Sequence, residues 1–174
     1  MLAYNFWSGE YPSPVIYLQP DTNKQRQIRG YTTLRNPNQQ KVCTVKSGIY
    51  HPWSHDKTSL IHYYSIVPNI RYRVQNDTLF ENHQLKRGDE LQKEIYLSEG
   101  YCSYLLNGKT AIESTCIDQQ DTHFKRMESL SHPSEQWLHL ACHEGYTVFV
   151  QDSDLLTQPH VSEGTIVGYG EVSK

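Results

Sequence analysis

The sequence predicts an all-β fold, mainly antiparallel, in the form of a small barrel or sandwich with at most one short helix. Three observations lead to this prediction. About nine short stretches have the residue pattern of strands. The stretch from Gly88 to Cys116 places alternating residues on both sides of an Asn107-Gly108 turn. Thirteen tyrosines against four phenylalanines supply the aromatic type that suits half-buried strand positions.

The first forty residues predict an irregular arm, because turn-forming residues interrupt them at Pro12, Pro14, Pro20, Gly30 and Pro37. Short strands are predicted there only over 15–18 and 28–34. Clearer strands follow over 41–47, 60–67 and 70–74. We therefore expect an N-terminal β extension at 1–68 packed on a β domain at 69–174, or one cooperative domain formed by both.

The second half of the chain continues the β pattern with one interruption. Residues 75–87 are polar and lack periodicity, which predicts a long surface loop before a strand at 91–97. Apolar residues at three-residue spacing, Phe124, Met127 and Leu130, predict a helix over 118–130. A hairpin is expected from 137–142 and 146–150 around Glu144-Gly145, and a final strand over 165–172.

The four cysteines, Cys43, Cys102, Cys116 and Cys142, form an even set without C-x-x-C spacing, which disfavours a zinc ribbon or a redox dithiol. Two disulfides are predicted. Of the three pairings, we favour Cys102–Cys116 with Cys43–Cys142, because the first pair belongs to one hairpin. A two-residue turn at Asn107-Gly108 would place Cys102 opposite Glu113, so this pairing requires a longer loop or a bulge.

Charge and hydropathy exclude some classes of partner. The net charge of −3 comes from interspersed acidic and basic residues, without a basic stripe for nucleic acid. The longest apolar runs have about five residues, against the roughly twenty that a membrane-spanning helix needs. Because disulfides persist in oxidising compartments, we expect a periplasmic or secreted protein whose leader peptide has been removed, without a cofactor.

Several short motifs resemble the bacterial Src-homology-3 family: Tyr72-Arg73-Val74, the run from Leu85 to Leu91 with Gly88-Asp89, Trp137-Leu138-His139-Leu140, and the run from Gly145 to Val150. The resemblance covers about residues 72–156. It implies a small barrel of the cell envelope that binds peptides or cell-wall glycopeptide, and it carries over no catalytic residue.

The aromatic residues are the leading candidates for a binding surface, because one core cannot hold all of them with their hydroxyls satisfied. Exposed tyrosine and tryptophan anchor protein and sugar contacts at low entropic cost. Packing in cross-strand pairs is the alternative role for the same side chains. The candidates are Tyr50, Trp53, Tyr63, Tyr64, Tyr96, Tyr101 and Tyr104.

These patterns favour a non-catalytic binding module whose partner is a peptidoglycan fragment or a protein. One version of the second case is an inhibitor or immunity protein that blocks a secreted toxin or hydrolase. The alternative is a metal-assisted hydrolase with His51, His55 and His62 as zinc ligands. A thiol–imidazole pair at Cys142-His143 is disfavoured, because neighbouring strand residues point to opposite faces.

Overall fold

A computed structural model describes residues 2–4, 7–10, 13–21, 23–34, 38–52, 60–127, 133–167 and 171–173. It confirms the predicted fold class: the described chain is mainly antiparallel β with one five-residue helix. Among these residues, no helix has both the length and the apolar character that crossing a membrane requires.

The described chain contains eighteen strands and one helix. In chain order these are β1 Leu2–Tyr4, β2 Ile16–Leu18, β3 Gln25–Tyr31, β4 Gln40–Lys46, β5 Gly48–Tyr50, β6 Ile61–Val67, β7 Ile70–Val74, β8 Thr78–Phe80, β9 His83–Leu85, β10 Glu90–Ser98, β11 Tyr101–Leu106, β12 Thr110–Thr115, β13 Phe124–Met127, β14 Glu135–Ala141, β15 Thr147–Gln151, α1 Asp152–Leu156, β16 Val161–Glu163, β17 Thr165–Val167 and β18 Glu171–Ser173.

The chain divides into two compact units. Unit 1 contains residues 66–134 together with 1–4 and 8–11, and unit 2 contains residues 12–65 and 135–174 together with 5–7. The chain passes from unit 2 to unit 1 between residues 65 and 66. The segment 135–174, however, groups with 12–65 and not with 69–134.

Unit 2 is built on strands that follow one another in the order β6-β14-β15-β3-β4. Alternate residues of these strands point into one core, which also receives β2, α1 and β16. Gly30 on β3 faces this core, and a Cβ there would lie 2.7 Å from Cγ2 of Val148. The absence of a side chain at Gly30 thus lets β3 approach β15 closely.

Unit 1 is built on a second antiparallel sheet, in the order β12-β11-β10-β7-β13. Its core is aromatic-rich, with Tyr104 fully buried and Phe80 packed edge-on against the Tyr104 ring at a centroid distance of 5.6 Å. The Tyr104 hydroxyl donates to the carbonyl of Thr115 at 3.2 Å and accepts the backbone N–H of Ile117 at 2.8 Å. The buried hydroxyl therefore both donates and accepts a hydrogen bond.

Both predicted disulfides are present. Cys43–Cys142 joins β4 to the residue that follows β14 in unit 2, with a sequence separation of 99. Cys102–Cys116 lies within unit 1 and has a separation of 14. Each unit therefore contains one disulfide of its own.

The hairpin between β11 and β12 has the longer loop that its disulfide requires. Residues 107–109 form a three-residue loop, which places Leu106 opposite Thr110 and Cys102 opposite Ser114. Cys116 follows two residues after Ser114, on the same side of the hairpin. Its sulfur therefore meets Cys102 diagonally across the two strands, with the two Cα atoms 5.0 Å apart.

The structure corrects two local predictions. The helix predicted over 118–130 is wrong: residues 124–127 form β13, which pairs with β7 so that Phe124 lies opposite Val74 and contributes to the core. Pairing with a neighbouring strand outweighs the weak helical spacing. The loop predicted over 75–87 instead contains the short hairpin of β8 and β9.

Candidate binding site

The sheet of unit 2 carries six aromatic or imidazole rings on the face opposite its core. On β14, Leu138 and Leu140 point into the core, so Trp137 and His139 point the other way. A sheet with one face on the core usually presents polar residues on the other. We call these six residues the ring face: Tyr31, His62, Tyr64, Trp137, His139 and Phe149.

Two histidines form a hydrogen-bonded pair within the ring face. Nδ1 of His139 lies 3.1 Å from Nε2 of His62, so one of these nitrogens donates a proton and the other accepts it. Burial lowers the pKa of both side chains, and the neighbouring His62 adds to the lowering at His139. A lowered pKa favours the neutral form of both imidazoles.

Phe149 lies at the centre of the ring face. His139 stacks on it with a centroid distance of 4.5 Å, and Tyr64 approaches edge-on at 5.5 Å. Tyr31 lies opposite Phe149 in the β3–β15 register and contacts Trp137 edge-on at 6.2 Å. Such pairs each stabilise by about 0.5–1.5 kcal/mol beyond their buried area, so the rings hold one another in fixed positions.

A polar groove lies along β3 and β4, and none of the six residues of the ring face lines it. It has a cavity volume of about 660 Å³ and is also lined by residues 157–160, after α1. Gln27 and Arg29 point to the same face of β3 as Tyr31, because alternate strand residues share a face. Val42 and Thr44 lie opposite Arg29 and Gln27 on β4. Amide, hydroxyl and guanidinium groups thus converge on one cavity.

Gln158 fixes the position of β3 beside this groove. Its side-chain amide accepts the backbone N–H of Arg29 at 2.8 Å and donates to the carbonyl of the same residue at 2.9 Å. In the described part of the chain, β15 pairs with β3 at one position, where Phe149 lies opposite Tyr31. Gln158 therefore satisfies the backbone N–H and carbonyl of Arg29, which a neighbouring strand would otherwise bond.

The structure brings only one of the predicted binding residues, Tyr64, into the ring face. Tyr63 and Tyr104 are at most 1 % exposed and belong to the two cores. Tyr50 is half-buried against the core of unit 2. In unit 1, Tyr96 is half-buried and its hydroxyl donates to the Glu10 carboxylate, whereas Tyr101 is 43 % exposed. Trp53 lies outside the described residues.

The three histidines of the predicted zinc site have separate surroundings where they are described. Nε2 of His51 lies 2.9 Å from Oγ of Ser13, whereas His62 pairs with His139. His55 lies outside the described residues. Within the described part of the chain, no three His, Cys, Asp or Glu side chains are arranged to hold a metal ion.

Sequence reasoning did not select Tyr31, Trp137, His139 and Phe149 as one surface. A signal was present, because alternation places Trp137 and His139 together on β14 and Phe149 on the matching face of β15. The position of Tyr31 beside Phe149 depends on β3 pairing with β15 across 118 residues (149 − 31). No local pattern indicates that pairing.

Comparison of the chain with models of protein families, with curated proteins and with solved structures finds no match. A proposal of function therefore depends on the residues of the groove and the ring face.

Proposed function

We propose that this protein is a non-catalytic binding module of the periplasm or the extracellular space, and that it recognises fragments of cell-wall glycopeptide. The observation that supports this proposal most strongly is the polar groove of about 660 Å³ beside the ring face. Ligand sites in proteins have volumes of about 300–1,000 Å³ and contain a few convergent polar groups. The two disulfides fit an oxidising compartment.

The chemistry of the groove favours a ligand rich in hydroxyl and amide groups. Gln27 and Gln158 line it. A side-chain amide both donates and accepts hydrogen bonds, and the Gln158 amide keeps one N–H beyond its bonds to the backbone of Arg29. A sugar ring also presents C–H groups, which pack against the electron-rich face of an aromatic ring. A glycopeptide presents both kinds of group, and Tyr31, half-buried at the end of β3, is the ring-face residue that lies nearest to the groove along that strand.

The weak resemblance over residues 72–156 to the bacterial Src-homology-3 family points to the same class of ligand. The groove lies entirely outside that range, since the residues that line it belong to 21–44 and 157–160. A ligand site at the groove is therefore a separate proposal from any site that the family resemblance implies.

A blocking substitution tests the proposal. Gln27→Trp places a large ring in the groove from an exposed position on β3, and Gln84→Trp is a matched control at an exposed position on β9. The ligand is a mixture of soluble muropeptides, and binding to the disulfide-bonded full chain is measured by titration calorimetry. We expect saturable binding by the unmodified protein and the Gln84→Trp variant, and at least about tenfold weaker binding by Gln27→Trp.

Two results would contradict the proposal. If the unmodified protein does not bind muropeptides, glycopeptide is not the ligand, and saturable binding to a secreted hydrolase would instead favour an inhibitor or immunity protein. If Gln27→Trp binds as tightly as the control, the ligand site lies elsewhere. Release of sugar or peptide products during the titration would exclude a non-catalytic role.

A further inference from the structure

The groove contains one arginine whose charge is not offset by a neighbouring acid. Arg29 is exposed on β3, and its guanidinium forms no ion pair with any residue that the structure describes. Its backbone is held on Gln158 through two hydrogen bonds of 2.8 and 2.9 Å. The strand position is thus fixed while the charged group remains available to a ligand.

The other charges of the groove largely balance. The Asp21 carboxylate accepts the backbone N–H groups of Asn23 and Gln25 at 2.9 and 3.1 Å. The Gln25 N–H, with smaller contributions from Asn23 and Arg26, holds the pKa of Asp21 below its usual value. Arg26, in turn, donates through Nε to the carbonyl of Gln19. Asp21 therefore offsets Arg26. The Glu144 carboxylate next to the groove accepts hydrogen bonds from the backbone N–H and the hydroxyl of Thr44. Among the charged residues that line the groove, Arg29 is thus the one without an acidic partner in the described part of the chain.

The position of Arg29 suits a ligand that also reaches the ring face. Arg29 and Tyr31 are two residues apart on the same face of β3, which corresponds to roughly 7 Å along the strand. Val42 lies opposite Arg29 and Thr44 opposite Gln27 on β4, and both line the same groove. A sugar packed at Tyr31 would thus place a substituent within reach of Arg29.

We propose that the groove binds a carboxylate of its ligand through Arg29, so that the protein selects carboxylate-bearing cell-wall glycopeptides over neutral glycans. This inference rests on the proposed function and specifies the class of ligand. A guanidinium binds a carboxylate through two parallel N–H···O bonds, which are stronger than bonds between neutral groups. Gln27, whose side chain is exposed in the groove, donates to the remaining polar groups of the ligand.

Three probes distinguish a carboxylate on the sugar from a carboxylate on the peptide. Chitotetraose is a neutral glycan, N-acetylmuramic acid has its carboxylate on the sugar, and muramyl dipeptide has its carboxylate on the peptide. Each is titrated calorimetrically against the full chain and against Arg29→Gln, Arg29→Lys and Arg71→Gln. The last is a matched control, because Arg71 is exposed on β7 of unit 1. Near-ultraviolet circular dichroism verifies that each variant is folded.

We expect at least one carboxylate probe to bind about tenfold more tightly than chitotetraose. Arg29→Gln should weaken the binding of the carboxylate probes about tenfold more than it weakens the binding of chitotetraose, and Arg71→Gln should alter the affinity for none of the probes. Arg29→Lys should keep part of the preference, because lysine retains the charge but not the planar fork. Added salt should weaken the carboxylate probes selectively.

The outcomes that overturn the inference differ from those that overturn the proposed function. Equal affinity of all three probes for the unmodified protein, or an equal loss for all three in Arg29→Gln, would refute carboxylate selection while leaving glycopeptide binding in place. Failure of all three probes to bind the unmodified protein would refute both proposals.

Discussion

The two disulfides allow a direct test of how each one stabilises the fold. Cys43–Cys142 closes a loop with a sequence separation of 99, and Cys102–Cys116 closes one of 14. In the chain-entropy model a loop of about 100 residues contributes about 4.7 kcal/mol to the free energy of unfolding, and a loop of about 15 residues about 3 kcal/mol. Replacing both cysteines of a pair by alanine should therefore cost about 1.7 kcal/mol more for the Cys43–Cys142 pair.

The comparison is well matched, because Cys43 and Cys102 are both fully buried and each substitution leaves a similar cavity. Urea unfolding followed by far-ultraviolet circular dichroism gives the free energy for each double-alanine variant. Tryptophan fluorescence adds a second readout specific to unit 2, because the sequence of unit 1 contains no tryptophan. An equal or larger loss for the Cys102–Cys116 pair would show that loop closure does not determine the stabilisation.

Two further predictions concern a buried hydroxyl and the histidine pair. Tyr104→Phe should lower the free energy of unfolding by about 1–3 kcal/mol, because the N–H of Ile117 loses its partner; Tyr101→Phe, at an exposed position, should cost less than about 0.5 kcal/mol in the same urea experiment. The lowered pKa values of His62 and His139 predict that the melting temperature falls as the pH drops below about 6.5, because the unfolded chain then binds more protons than the folded one. A variant with Gln at both positions should lose this part of the pH dependence, and an unchanged pH profile in that variant would contradict the assignment.

The all-β class and the Cys102–Cys116 disulfide were predictable from local information, and Cys43–Cys142 followed as the pair that remained. Alternation identified most strands, and the pairing of Cys102 with Cys116 followed from their position around one turn. The β14–β15 hairpin is likewise a local feature, with Leu138 opposite Val150 and Leu140 opposite Val148.

The candidate site was less predictable, because its parts come from strands that are distant in the chain. Alternation can assign Tyr31, His139 and Phe149 to strand faces. It cannot tell that β3 follows β15 in the sheet, or that Gln158 bonds to the backbone of Arg29. Long-range pairing of this kind depends on the packing of a whole core and leaves no signature in a short stretch of sequence.

The Cys43–Cys142 bond also makes the chain resistant to separation after a backbone cut. Residues 66–134, the larger part of unit 1, lie entirely within the loop that this bond closes. Loop tips are the preferred sites of proteolytic nicking, and any single nick between residues 43 and 142 leaves two fragments joined by the disulfide. The strands β3 and β4 that line the groove would therefore stay covalently linked to β15 after such a cut.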